Sequence, residues 1–325
     1  MGMLALDFMV RALIAGALTG VMAPAVGTYI VQRRLSLLGD GLGHVAIAGV
    51  GLALLTGRAP VPIAIAVTVV GAVAIELLRQ SGRASGDVGL AILFYGGLAS
   101  GVLMAGLAGQ GAGTLSQYLF GSLTSVSNPD LAAVAVMAVV VLITALGLSP
   151  QLFAVCADED YARAQGLPTR ALNLIIVIMA AVTVAISMRT VGLLLVSALM
   201  VVPVATSQNL VLGFRRGLAT AMGLGLILAL AGVVASYYLD TATGATIVVL
   251  GVIVFVGTLP VNSVLERHRR ANRAEADEER VFERAEPHDS LSDAHLHPAV
   301  LHGDHVDYLH DGHRHAPHGD HFDEH

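Results

Sequence analysis

Lysine is absent from this chain: all eighteen basic residues are arginine. A Walker A loop needs a lysine for the nucleotide phosphates, so the chain carries no such loop. Any ATP hydrolysis that drives it belongs to another polypeptide. Tryptophan is also absent and aromatics make up 5%, which leaves only a thin aromatic belt. The single cysteine, Cys156, excludes an internal disulfide and reads as a small packed apolar residue. Charged residues reach only 13%, about half the share of soluble domains. No hydrolase triad, HExxH zinc motif, dinucleotide loop or basic nucleic-acid patch is present. The chain therefore reads as neither an enzyme nor a nucleic-acid binder.

What fills the space is apolar. The 325 residues are 55% hydrophobic with a mean hydropathy of +0.74, and 36 are glycine, which suits close helix contacts in lipid. The fold class is all-α, a polytopic membrane protein of eight or nine spans. Helices are expected near 8–31, 36–55, 60–78, 88–109, 131–149, 171–188, 190–211, 217–239 and 244–263. Each is long enough for roughly 30 Å of hydrocarbon. The first exceeds a signal-peptide core and reads as a retained helix. Pro203 interrupts the seventh, which then reads either as a span or as a bent, re-entrant segment. Ser197, Thr206 and Ser207 are candidates to satisfy the carbonyls that this proline frees.

Arginines decide between eight and nine. One alternating set of connections holds Arg33, Arg34, Arg79, Arg83, Arg163, Arg170, Arg215 and Arg216, followed by Arg267, Arg269, Arg270 and Arg273. The other holds Arg11, Arg58 and Arg189. This bias of twelve to three favours nine spans. By the positive-inside rule it puts the N-terminus outside and the C-terminal tail in the cytoplasm.

Two domains follow: a membrane body, 1–265, and a tail, 266–325. The body carries eleven Arg against nine acids, the tail seven against fifteen. The tail is polar, acidic and interrupted by Pro287, Pro298 and Pro317, so disorder is expected. No internal repeat stands out. Eleven of the thirteen histidines lie at or beyond residue 288. His295 and His297 are two apart; His302/His305, His310/His313 and His318/His321 are three apart; His315 and His325 add to them. Asp304, Asp307, Asp311, Asp320 and Asp323 are interleaved. Imidazoles with carboxylates suit zinc, copper or nickel, and the spacing matches no closed Cys/His zinc fold. The expectation is a flexible chelating tail that captures or buffers the metal, or reports its level.

The body has a single histidine, His44, with Asp40 one helical turn before it. Ionisable residues inside a span usually mark a substrate or proton path. Asp40 is the one acid placed well within a span, whereas Glu76 lies near enough to a boundary to reach water. A carboxylate and an imidazole on one face can bind a divalent transition metal. A structural hydrogen-bonded pair locking the helix to a neighbour fits the same residues. Two ligands fall short of the four that zinc normally takes, and a homodimer would supply two pairs. Over 150–170, acids fill the first turn of a short amphipathic stretch, Asp158-Glu159-Asp160-Tyr161-Ala162-Arg163, and Gly166 and Pro168 stop it. This reads either as a solvated loop or as a docking helix for a cytoplasmic partner.

These segments resemble the membrane permease of bacterial ABC-type zinc/manganese/iron importers. Arg33-Arg34-Leu35-Ser36 with Gly39-Asp40 and His44 is similar to the family's RRxS…GDxLxHA, with Val45 in place of its alanine. Tyr118-Leu119-Phe120-Gly121 looks like its YLFG segment. Asp158-Glu159-Asp160 with Ala162 and Gly166-Leu167 looks like its coupling segment. Val191-Gly192 with Pro203-Val204-Ala205-Thr206 is similar to VG…IPAATA. Asp240-Thr241 with Gly244 looks like the DTPAG turn, where Ala242-Thr243 replaces the proline context. The resemblance implies a homodimer in the cell membrane and two ATPase subunits docked partly through 157–168. It also implies an extracytoplasmic metal-binding protein, and Asp40 and His44 as metal-path ligands. No cofactor is held permanently; the transported ion, zinc first, is the substrate. An ATP-independent metal transporter or channel fits the histidines and the Asp40/His44 pair equally well. A membrane sensor would leave the YLFG-like and coupling-like segments unexplained.

Overall fold

Proline and glycine punctuate the apolar runs and mark several of the helix ends. The computed structural model describes residues 6–82, 86–110, 112–121, 126–278, 299–302, 305–310, 313–318 and 321–324. The helices are α1 (Asp7–Gln32), α2 (Leu38–Thr56), α3 (Pro60–Gln80), α4 (Gly86–Leu107), α5 (Ala112–Phe120) and α6 (Asn128–Gly147). They continue with α7 (Ser149–Ala157), α8 (Glu159–Ala164), α9 (Thr169–Val191), α10 (Leu193–Leu210), α11 (Phe214–Leu239) and α12 (Thr243–Glu278). Gly57 closes α2 in the left-handed conformation (φ +66°) and Pro60 opens α3. Ser127 and Asp130 form a reciprocal capping box at the start of α6.

Among the described residues, nine helices are long and apolar enough to cross a membrane. The seventh of these, α10, is helical through Pro203. The hydroxyls expected to relieve that proline do something else: Ser197 donates to the Leu193 carbonyl, Thr206 to Val202 and Ser207 to Val204. Each reaches back along its own turn, and none serves the Leu199 carbonyl four residues before the proline.

In the first compact unit, Met1–Val261, α1, α2 and α9 are the most buried spans. Small residues bring their backbones together. A Cβ on Gly20 of α1 would stand 2.6 Å from the Gly225 carbonyl oxygen of α11, and one on Gly51 of α2 would stand 2.6 Å from the Gly101 carbonyl oxygen of α4. In lipid, where apolar burial between helices gains little, this close approach is what holds them together.

The second unit is Asn262–His325. It contains four short strands, β1 (Ala299–His302), β2 (His305–His310), β3 (His313–His318) and β4 (His321–Glu324), paired antiparallel in the order β1-β2-β3-β4. The reason is local. Two residues join each strand to the next, Gly303-Asp304, Asp311-Gly312 and Gly319-Asp320; Asp-Gly is among the strongest short-range hairpin signals, and Gly-Asp suits a type II′ turn. The tail also holds a repeat: HGDHVDYL (302–309), HDGHRHAP (310–317) and HGDHFDEH (318–325) are three consecutive octads.

Candidate functional site

Asp40 and His44 both lie on α2, one turn apart. Asp40 is not deep within a span as the sequence implied; it is the third residue of α2 and only half-buried. The chain before it is not helical, because Arg33 caps α1 and Arg34 takes a left-handed conformation (φ +59°). Asp40 therefore sits where a helix dipole favours a carboxylate. His44 is buried, and its ring meets Phe94 edge-on, with centroids 4.1 Å apart and planes at 67°. Its Nδ1 is buried with no hydrogen-bond partner. Leaving a buried polar nitrogen unsatisfied costs about 1–3 kcal/mol. The surroundings leave little slack. A Cβ on Gly97 of α4 would fall 2.6 Å from the His44 carbonyl carbon, and one on Gly43 would overlap Leu193 of α10. A cavity of about 260 Å³ lined by Thr28, Gln32, Phe153, Ser207, Gln208 and Phe214, among others, does not include Asp40 or His44.

Near the start of α2 lies a charge cluster that sequence reasoning misplaced. Glu76 does not reach water; it is 2% exposed. Arg79 donates to it through Nε (2.9 Å) and Nη2 (2.7 Å), and Gln80 through Nε2 (2.9 Å). Arg33, whose side chain is 5% exposed, places Nη2 3.6 Å from the same carboxylate. The spacing 76, 79, 80 on one helix was the available signal; Arg33 comes from another helix end and had none. Burial lowers the Arg33 pKa, proximity to Arg79 adds to this, and Glu76 opposes both.

The coupling-like segment forms the short helix its sequence suggested. Asp158 caps α8 by accepting from the Tyr161 backbone N–H at 2.9 Å, and Gly166 ends the turn at φ +80°. Ala162 is buried, whereas Asp160, Tyr161 and Arg163 face outward. Arg163 pairs with Glu159 (3.1 Å) and Asp160 (3.3 Å). The exposed face therefore carries an aromatic ring among partly neutralised charges.

Three other motif-like segments, distant in sequence, converge. Gly121 (φ +73°) and Gly192 (φ +88°) lie so close that a Cβ on either would collide with backbone at the other. A Cβ on Gly244 would stand 3.3 Å from the Phe120 carbonyl and 3.4 Å from that of Val191. Arg189, three residues before Gly192, bonds Asp130 at 3.0 Å. Burial raises the pKa of the Tyr118 hydroxyl beside them, against the pull of Arg189.

In the tail, His302, His305, His310, His313, His315, His318 and His321 fall on strands, while His295 and His297 lie outside the described residues. Among the described residues no group of three or more His, Cys, Asp or Glu side chains is gathered as a metal cage.

The buried body, the glycine-built helix contacts and the motif convergence all lie before residue 262, and a sequence model of the ABC 3 transport family matches residues 5–262. The chain belongs to that family. It is similar to the high-affinity zinc uptake system membrane protein ZnuB of Haemophilus influenzae, 27% identical over 257 residues (78% of this chain, 97% of the relative). It is also similar to the manganese transport system membrane protein MntC of Halalkalibacterium halodurans, 31% identical over 277 residues (84% and 94%). Its fold matches PsaBC from Streptococcus pneumoniae, solved in complex with a Fab, with a TM-score of 0.69 and 25% identity over 79% of this chain and 92% of that one. The chain is thus a membrane permease of the metal ABC transporter type, a transport subunit whose ATPase is a separate chain. The octad tail lies beyond the family match.

Proposed function

We propose that this permease imports a divalent transition metal, zinc first, through a path that includes Asp40 and His44. The observation that carries this reading is the buried His44 Nδ1 without a hydrogen-bond partner, one turn from a half-buried carboxylate. A transition-metal ion supplies what that nitrogen lacks, and the carboxylate supplies charge. One permease offers two ligands, so two copies meeting near a common axis would offer four, the number zinc takes. Phe94, Leu193 and the tight α2–α4 approach would close the site while α8 transmits ATPase motion. Docking through Asp160, Tyr161 and Arg163 is supported by their exposure on a rigidly capped turn. Delivery comes from an extracytoplasmic metal-binding protein. The arginine bias supports an N-terminus outside and a tail in the cytoplasm. Zinc is ranked above manganese because the body's only imidazole lies at the pair, although a relative named for manganese matches equally well.

The test is uptake into proteoliposomes containing the permease, its ATPase and its binding protein, with zinc or manganese offered, for wild type, Asp40→Ala and His44→Ala. ATP-dependent zinc uptake lost in both variants, with assembly intact, is the expected result. Unchanged uptake would make the pair structural. Uptake by the permease alone without ATP would move the assignment to a secondary transporter. Preference for manganese would overturn the choice of metal.

A further inference from the structure

The octads of the tail and the register of its sheet coincide. In each octad the first and fourth residues are histidines, and the sixth is Asp307, His315 or Asp323. The first and fourth face each other directly across a strand pair: His302 with His305, His310 with His313, His318 with His321. The sixth lies two residues beyond the fourth on the same strand, and residues two apart share a face of a sheet. Each octad therefore sets three metal-ligating residue types on one face at one hairpin. Directly opposed residues have Cβ atoms about 4.5–5.5 Å apart, and the third position is about 6.7 Å along the strand. Three ligand types on a triangle of that size suit a single ion at each hairpin.

The register also fixes which faces are used. Tyr308 pairs with His315, Val300 with Asp307 and Ala316 with Asp323. Counting alternate residues from these pairs puts His302, His305, Asp307, His318, His321 and Asp323 on one face. His310, His313 and His315 fall on the other, with Leu301, Val306, Pro317 and Phe322. A flexible chelator needs no such agreement between chemical repeat and strand register. A tract of histidines selected only for composition would scatter them over both faces within every hairpin.

We propose that residues 302–323 are a built metal-binding meander that takes three divalent transition-metal ions, one per octad. The first and third octads bind through two histidines and an aspartate, the second through three histidines. Imidazole-dominated sets of this kind favour zinc, nickel and copper over calcium and magnesium. The meander lies outside the family match, and the inference stands whether or not Asp40 and His44 line a path.

The experiment is an equilibrium titration of the full-length permease in detergent with Zn²⁺ alone, all variants carrying Asp40→Ala and His44→Ala so that only the tail is read. The decisive variants exchange neighbours and leave composition unchanged: His305→Val with Val306→His, His313→Arg with Arg314→His, and His321→Phe with Phe322→His. Each exchange moves one ligand to the opposite face. Loss of an outer partner of a metal ligand costs roughly 10–100-fold in affinity, so loss of a direct ligand is expected to cost at least that. Three tight ions in the parent, one fewer for each exchange, and none in the triple exchange is the expected series. Titrations identical in the parent and the triple exchange would overturn the built site and leave a composition-driven chelator. Absence of tight zinc in the parent would overturn metal binding itself. The Asp40/His44 import reading is tested separately by uptake and survives either failure.

Discussion

Replacing Glu76 with alanine should destabilise the permease more than any change to its surface charges. The carboxylate accepts three hydrogen bonds and faces two guanidinium groups, and it is 2% exposed. Removing one partner of a buried ion pair costs about 3–5 kcal/mol, because the remaining charge stays buried without compensation. Here Arg33, 5% exposed, would be stranded, while Arg79 at 30% exposure can turn partly to water. That places the expected cost near the lower end, about 3 kcal/mol. Glu76→Gln keeps an acceptor for Arg79 and should cost less. Arg163→Ala, which breaks pairs on the exposed turn α8, should cost no more than about 1 kcal/mol. Equilibrium unfolding in mixed detergent, titrated with dodecyl sulfate, measures all three. Adding Arg33→Ala to Glu76→Ala should recover part of the loss, since it removes the stranded charge. A cost for Glu76→Ala no greater than that for Arg163→Ala would refute the reasoning, and so would a double variant whose losses simply add.

Further outcomes follow from single contacts. Gly97→Val should lower both stability and transport, since its Cβ would stand 2.6 Å from the His44 backbone, and overpacking of this kind costs about 1–3 kcal/mol or more. Gly106→Ala on the same helix meets nothing within 4 Å and serves as the harmless control; equal effects would discredit the packing account. Burial pushes the Cys156 thiol from 9.0 up to about 12, so at pH 8 it remains protonated and its thiolate is about 1,000-fold scarcer than that of a free thiol. Maleimide labelling of the folded permease should be correspondingly slow and should become fast on unfolding; rapid labelling of the folded protein would contradict the burial of α7.

The spans were legible because nothing competes with twenty apolar residues in a row. Helices expected at 60–78 and 217–239 form at Pro60–Gln80 and Phe214–Leu239, and the short α8 was readable from its acids and Gly166. The errors share a cause. Glu76 was read from its distance to a helix end, yet its burial depends on Arg33, which another helix delivers. Asp40 was read from a continuous apolar run, yet Arg34 turns out of the helix before it. The contact of Gly121 with Gly192 joins residues seventy-one apart, and no local pattern announces it. Of the candidate site, α2 and its two ionisable residues could be read locally; the packing that isolates His44 could not.

The tail rests on a different kind of signal. Its low apolar content argues for disorder only if order must come from a hydrophobic core. Here the sequence places turn-forming dipeptides between the strands, Gly303-Asp304, Asp311-Gly312 and Gly319-Asp320, and register depends on turn chemistry as much as on apolar patterning. The spacing of three within the pairs His302/His305, His310/His313 and His318/His321 has a structural reason. A hairpin with a two-residue loop puts residues i and i+3 opposite each other, so the same spacing encodes both the fold and the ligand set. The sixth-position Asp307, His315 and Asp323 then acquire a meaning that spacing alone withheld, because strand alternation returns them to the face of the pair they follow. Metal and sheet would then stabilise one another. An ion bound only by the ordered meander adds its binding free energy to folding, so the protection of β1–β4 from hydrogen exchange should rise with zinc in the parent and stay unchanged in the triple exchange.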